Sequence, residues 1–204
     1  MGMSDFGEID RLASIVKPHI GVITNIGVAH MESLGSREGI FQAKMEIAKH
    51  IAGDDELPGT LIYASDSEFL TKEKTKGNYD QISIGEKGKD DYIISSVDDF
   101  GMDGIKFTLE HAQKVRQISL PLPGRHNAIN SALAVAVGDL LGISPEEETD
   151  GLAAADLTGN RLKRRENDSI CVIDDTYNAS PDSMKSALRV LEHSRCDGKK
   201  IAIL

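Results

Sequence analysis

The sequence predicts an α/β protein: a mixed sheet flanked by helices, with a small antiparallel subsheet attached, followed by the start of a Rossmann-like unit. Three observations carry that expectation. Ile20-Gly21-Val22-Ile23-Thr24-Asn25 is a short, β-branched run ending in small polar residues, and an amphipathic helical pattern follows it from Ser36 to His50. Period-two alternation takes over between Gln81 and Pro123. Beyond Arg161 the pattern returns to an apolar run, a polar loop and a helix.

In chain order, Asp5 to Val16 predicts a short helix, Ile20 to Asn25 a fully buried strand, Arg37 to Ala52 a helix and Thr60 to Ala64 a second strand. The alternating runs are Gln81 to Ile84, Asp91 to Val97, Ile105 to Leu109 and Val115 to Leu120, and glycine-containing turns at Gly85 to Gly88 and Gly101 to Gly104 separate several of them. These predict the antiparallel subsheet, whose role is packing. Pro121-Leu122-Pro123-Gly124 breaks the chain before a helix from His126 to Leu141. A second helix from Pro145 to Ala155 leads to a turn around Thr158-Gly159-Asn160. A linker is expected near Leu157 to Arg165, where Arg161-Leu162-Lys163-Arg164-Arg165 forms a basic run that reads as solvated surface. A buried strand from Ile170 to Ile173, a helix from Pro181 to Glu192, and the start of another buried strand in Lys199 to Leu204 follow.

Composition narrows the function classes. Thirty-three Asp and Glu against 23 Lys and Arg give a formal charge of −10, which disfavours a broad contact with a nucleic-acid backbone. Tryptophan is absent and aromatics make up 4% of the chain, so a base-stacking surface is also disfavoured. Cys171 and Cys196 form no framework and read as free thiols of a reducing compartment. With no apolar stretch long enough for a membrane span and no signal peptide, a cytoplasmic location without membrane insertion is expected.

Several residues stand where chemistry could use them. His30 follows a predicted strand, in the crevice beyond the carboxyl ends where open α/β sheets bind ligands. Taken alone, such a histidine is more often a structural hydrogen-bonder, and a helical lysine such as Lys44 is more often a solvated charge. Asn127 and Asn130 lie three apart on one predicted helix and share a face. Two helical asparagines are by themselves more often polar surface. Asp174 and Asp175 end a predicted strand; Asp174 reads equally as a helix-capping or hinge acid.

Four ordered motifs alter these readings: Thr24-Asn25-Ile26-Gly27-Val28-Ala29-His30 running on to Ala43-Lys44-Met45-Glu46-Ile47; Gly124-Arg125-His126-Asn127-Ala128-Ile129-Asn130; Gly159-Asn160-Arg161; and Ile173-Asp174-Asp175-Thr176-Tyr177-Asn178-Ala179-Ser180-Pro181. Together they resemble the central ATPase domain of the Mur ligases, ATP-dependent enzymes that add amino acids to the peptidoglycan precursor. The resemblance implies residues 1–160 as part of a central ATP-binding domain and 161–204 as the start of a Rossmann-like C-terminal domain. It implies ATP and Mg2+ as cofactors, with His30 a metal ligand and Lys44 a catalytic residue that, once carbamylated, also binds or orients the metal. Asn127 and Asn130 would read adenine, Arg161 would reach the nucleotide phosphates, and Asp175 would contact the ribose or phosphate region. Tyr177 and Asn178 would help close the domain over substrate.

The reaction so implied joins D-alanyl-D-alanine to UDP-N-acetylmuramoyl-tripeptide through an acyl phosphate, in a monomeric enzyme. Charge neutralisation and positioning dominate such phosphoryl transfer. The opening Met1 to Ile9 and the Asp-Asp-Thr-Tyr-Asn-Ala block most resemble the family member that uses that substrate pair. Another amide ligase of the same superfamily is an alternative, as is a non-catalytic nucleotide-binding module. The family's Gly-x-x-Gly-Lys-Thr/Ser phosphate loop occurs nowhere in these residues. The expectation is therefore an enzyme cut inside its central domain and again inside its C-terminal domain, inactive in ligation by itself.

Overall fold

The computed structural model describes residues 1–86, 88–157, 159–167 and 169–204. Lys87 in the predicted turn Gly85 to Gly88, Thr158 in the predicted turn Thr158-Gly159-Asn160, and Asp168, which follows the basic run in sequence, lie outside the described residues.

The unbroken apolar run Thr60–Ala64 forms strand β2, every residue of which is buried; Leu61, Ile62, Tyr63 and Ala64 have no exposed surface. A strand covered on both faces has no reason to alternate. Strand β1, Ile20–Ile23, pairs with it in parallel from Ile20↔Thr60 to Ile23↔Tyr63. On the other side β2 pairs in parallel with β3, Asp80–Gly85. The sheet has six strands in sequential order, the others being β4 (Tyr92–Asp99), β5 (Ile105–His111) and β6 (Lys114–Leu120). The chain divides into two compact units, Met1–Ile93 with Ala132–Ile143, and Ile94–Ser131 with Ser144–Leu204.

In the first unit, helices α1 (Glu8–Val16), α2 (Met31–Leu34) and α3 (Arg37–Met45) pack against the parallel strands. Ile9, Ile23, Ile26, Leu34, Ile40, Phe41, Leu61, Tyr63 and Leu70 form the core cluster. Ser36 caps α3 by accepting a hydrogen bond from the Gly39 N–H at 3.0 Å. Gly39 is required there, because a Cβ would collide with the Leu34 carbonyl oxygen.

Helix α3 stops earlier than the predicted Ala52. It tightens to a 3-10 turn over Glu46–His50, and the Ala52 N–H is taken by the Pro18 carbonyl at 3.1 Å instead of continuing the helix. Strand β1 likewise ends at Ile23, so Thr24 and Asn25 leave the sheet as loop.

The second unit carries the antiparallel part. β5 and β6 pair in register from Ile105↔Leu120 to His111↔Lys114 through a two-residue turn, Ala112-Gln113, with φ of 49° and 65°. Both central residues left-handed is the type I′ geometry, whose twist matches that of the strands. The antiparallel region is smaller than the alternation predicted. β3 is parallel to β2, and β4 begins parallel to β3 at Ile84↔Tyr92. Period-two patterning records which faces are buried, not strand direction.

Helix α4, His126–Leu140, follows Gly124, whose φ is 93°. Helix α5, Pro145–Ala153, opens with a capping box between Ser144 and Glu147. Beyond it, β7 (Lys163–Glu166) and β8 (Cys171–Asp174) form a two-stranded antiparallel sheet before α6, Pro181–His193. The basic run is therefore a strand over Lys163–Glu166, though it is solvated as its composition predicts. The strand expected to be buried is exposed, with Ile170 at 62% and Val172 at 50%, because β7 is its only described strand neighbour. Lys199 to Leu204 is irregular and exposed instead of a strand; among the described residues no strand pairs with it.

Candidate active site

The carboxyl end of β1 organises the first group of candidates. The chain leaves the strand through Thr24 and Asn25, and Lys44, in the last turn of α3, reaches back to it: Nζ donates to the Asn25 carbonyl at 2.7 Å and lies 3.3 Å from Asn25 Oδ1. Burial pushes the Lys44 ammonium below its ordinary pKa. The lysine is thus turned onto the strand end, where a lowered pKa enlarges the fraction of neutral amine.

Five residues beyond Asn25, His30 caps α2 from the left-handed region at φ 67°, and its carbonyl accepts from the Leu34 N–H at 3.1 Å. Its exposed ring borders an open depression of about 530 Å³ lined by Ser4, Val28, His30, Met31, Glu32 and Ser33. Glu8 lies close by. The Ser4 N–H at 2.5 Å and the Asp5 N–H at 3.3 Å hold its carboxyl below the usual range, with a smaller contribution from His30. No hydrogen bond joins His30 to Lys44 among the described residues. What they share is the loop and helix that follow one strand.

Sequence reasoning passed over two residues that shape this region. Arg37 donates from Nη2 to the Ile26 carbonyl at 3.1 Å, pairs with Glu68 at 3.4 Å and stacks 5.1 Å above the Phe69 ring, anchoring the loop that leads to His30. Glu46, two residues after Lys44, is 6% exposed. Its burial had no signal in a pattern that reads as a helix with acids on its surface.

The second unit gathers the remaining candidates. Asn127 and Asn130 share a face of α4 and touch each other, Asn130 Nδ2 donating to Asn127 Oδ1 at 3.1 Å. They are not equivalent. Asn127 is 5% exposed and its Nδ2 donates to the Pro123 carbonyl at 2.8 Å, so both ends of its amide are engaged. Asn130 is exposed, and its Nδ2 is the end of the amide engaged by Asn127. His126 lies against Gly124, and the resulting desolvation lowers its pKa against the opposing effect of Asp175 and Asp99, although the residue keeps over a third of its surface in water.

Arg161 and Asp175 are drawn together by the loop after β8. Asp175 Oδ1 accepts from the Leu162 N–H at 3.2 Å, the Tyr177 N–H donates to the Asn160 carbonyl at 3.2 Å, and the Arg161 guanidinium lies 4.2 Å from the Tyr177 ring centroid. Asp174 instead accepts from the Thr176 N–H and hydroxyl and pairs with Arg165 at 3.3 Å. That is the local turn-capping role, and it leaves Asp175 as the acid on the α4 side.

The donor sets fit a nucleotide better than a preformed metal cage. Asn130 offers an amide edge and Arg161 a planar cation suited to phosphate. Among the described residues, no group of three or more His, Cys, Asp and Glu is placed to hold a metal ion. Mg2+ usually keeps several waters and binds through one or two protein groups together with substrate phosphates, so His30 suits an ion carried on a nucleotide.

The first unit is thus of α/β type, with His30 following β1 and Lys44 held at that strand's carboxyl end, the place where such sheets bind ligands. Residues 1–138 match the family model of the Mur ligase middle domain. A UDP-N-acetylmuramoyl-tripeptide--D-alanyl-D-alanine ligase of Bacillus subtilis (strain 168) is 39% identical over 208 aligned positions, covering all of this chain and 43% of that protein. A crystal structure of MurF from Acinetobacter baumannii superposes with a TM-score of 0.86 at 34% identity, covering 96% of this chain and 42% of that one. MurF ligase from Thermotoga maritima in complex with ADP gives 0.78 at 27% identity, covering 93% of this chain and 43% of that one. The chain belongs to the Mur ligase family. It spans less than half the length of these relatives.

Proposed function

We propose that this chain is part of an ATP-dependent amide ligase of peptidoglycan precursor synthesis, one that joins D-alanyl-D-alanine to UDP-N-acetylmuramoyl-tripeptide in the cytoplasm. The observation that carries this reading is the 39% identity to a ligase of that name over the whole of this chain. Other amino-acid ligases of the superfamily are less similar: a diaminopimelate ligase and a folylpolyglutamate synthase each superpose at 19% identity, a level that speaks for the fold alone.

In this reading residues 1–160 belong to the central ATP-binding domain and 161–204 begin the C-terminal one. Asn130 reads the adenine edge, and Asn127 holds Asn130 in place. Arg161 and Asp175 bind the phosphate and ribose regions. His30 is the group that would hold Mg2+ carried on ATP, and the ion would supply neutralisation of phosphate charge. Lys44, whose burial favours the neutral amine, is the residue that would take up carbon dioxide and carry the resulting anion at the carboxyl end of β1. Phosphorylation of the tripeptide carboxylate makes it an acyl phosphate, and the amine of D-alanyl-D-alanine displaces phosphate to form the amide. The protein contributes alignment of the reacting groups and stabilisation of charge.

The test is product mass. Full-length protein incubated with ATP, Mg2+, UDP-N-acetylmuramoyl-tripeptide and a panel of amines should yield the pentapeptide product with D-alanyl-D-alanine and little with single amino acids. Efficient use of glutamate or diaminopimelate would transfer the chain to another ligase of the superfamily. No product with any amine would favour a nucleotide-binding module without ligase activity.

A further inference from the structure

Helix α1 begins without a cap of its own. Its N-cap residue is Gly7, which has no side chain to offer, and no side-chain hydrogen bond satisfies the first turn locally. The missing acceptor comes from across the fold. Glu46 Oε1 accepts from the Gly7 N–H at 2.8 Å and Oε2 accepts from the Asp10 N–H at 3.1 Å. A carboxylate against the free N–H groups of a helix start is favoured by both hydrogen bonding and the helix dipole. With only 6% exposure it is a strong and specific tie.

Two further sets of contacts extend that tie in opposite directions. Toward the end of the 3-10 turn, His50 Nε2 lies 3.1 Å and Lys49 Nζ 3.4 Å from Asp10 Oδ1, pulling Asp10 below the usual carboxylate range. Toward the chain start, Glu8 Oε2 accepts from the Ser4 and Asp5 N–H groups, and the Ser33 hydroxyl donates to the Ser4 carbonyl. Ser4 and Ser33 both line the depression that His30 borders. The helix carrying Lys44 and the wall of the His30 depression are therefore joined through Glu46, the start of α1, Glu8 and Ser4.

We propose that Glu46 is a positioning residue for the ligation: it sets the opening segment against the His30 loop while fixing the end of the Lys44 helix, and so holds the two candidate groups in register. This rests on the reading of His30 and Lys44 as the reacting-site residues. Glu46 is buried, with both carboxylate oxygens accepting from N–H groups at the start of α1. Its effect is on alignment, where displacements of about 1 Å can cost up to about 100-fold in rate.

The test uses full-length protein and three variants, Glu46→Gln, Glu8→Gln and the double variant. In Glu46→Gln the amide keeps one acceptor and turns a donor toward an N–H. Glu8 is exposed, so Glu8→Gln leaves folding intact and keeps the proposal testable should Glu46→Gln fold poorly. Expected is a fall in kcat of about tenfold or more for Glu46→Gln and a smaller fall for Glu8→Gln, with KM for ATP within about twofold of wild type. The double variant should lose no more than Glu46→Gln alone, since both cut one line of contacts. Hydrogen exchange should quicken at Gly7, Asp10 and the 31–34 turn in Glu46→Gln and stay unchanged in α4. An unchanged kcat, losses that add fully, or KM for ATP rising in step with the fall in kcat would overturn the proposal. If wild-type protein forms no amide at all, the functional reading fails instead, and the exchange pattern alone decides whether Glu46 ties the two walls together.

Discussion

Replacing Asn127 by alanine should unfold the protein more readily while changing adenine recognition mainly by loosening Asn130. Asn127 is buried, its Nδ2 donates to the carbonyl of buried Pro123 at 2.8 Å, and its Oδ1 accepts from Asn130 Nδ2 at 3.1 Å. Alanine removes both bonds. At a net value of about 0.5–1.5 kcal/mol each, with a further cost for a buried carbonyl left unpaired, the loss comes to about 2–3 kcal/mol. Asn130→Ala removes one of the same bonds from an exposed position and should cost about 1 kcal/mol or less. Urea unfolding of wild type and both variants, followed by helix circular dichroism, supplies the stabilities, and calorimetric titration with ADP supplies the affinities. Asn130→Ala should weaken ADP binding at least about tenfold, near 1.4 kcal/mol. If Asn127→Ala proved as stable as wild type, or if it abolished ADP binding while Asn130→Ala left binding untouched, the assignment of support to one and recognition to the other would be refuted.

Other expectations follow from the same contacts. His30→Asn, a residue that tolerates the left-handed backbone at φ 67°, should leave stability within about 0.5 kcal/mol of wild type yet depress ligation severely, as measured by product formation in full-length protein. Burial lowers the Lys44 pKa in the folded state, so the unfolded chain binds more protons between that value and the ordinary 10.5, and stability must rise with pH across this window. Lys44→Met should lack that alkaline rise, a difference read from urea midpoints at a series of pH values, and should be inactive. Gly39→Ala should destabilise by about 2–3 kcal/mol in the same unfolding assay, because the added methyl meets the Leu34 carbonyl in the first turn of α3.

The sheet and its helices were legible where one residue pattern had one physical meaning. Thr60–Ala64 is apolar throughout because it is covered on both faces, and the strand has the bounds its sequence predicts. Alternation in Gln81 to Ile84 was ambiguous, since the same pattern serves a parallel neighbour of β2 as well as an antiparallel subsheet. Ile170 to Ile173 misled for a related reason: apolar residues announce a need for cover, and β7 covers only an edge of that strand. At the candidate site, the motif residues could be found by type and spacing. The inequality between Asn127 and Asn130 could not, because it depends on the Pro123 carbonyl folding back over α4. Glu46 was hidden for the opposite reason. An acid after a lysine on a helix reads as surface, and only the distant, uncapped start of α1 gives it a partner.

The most direct test of the ligase reading follows an oxygen atom. UDP-N-acetylmuramoyl-tripeptide carrying a heavy oxygen isotope in its terminal carboxylate is incubated with full-length protein, ATP, Mg2+ and D-alanyl-D-alanine, and the released phosphate is weighed by mass spectrometry. Passage through an acyl phosphate carries one carboxylate oxygen into the phosphate, so labelled phosphate should appear in step with the amide product. Unlabelled phosphate, or phosphate released at the same rate without D-alanyl-D-alanine, would contradict the account.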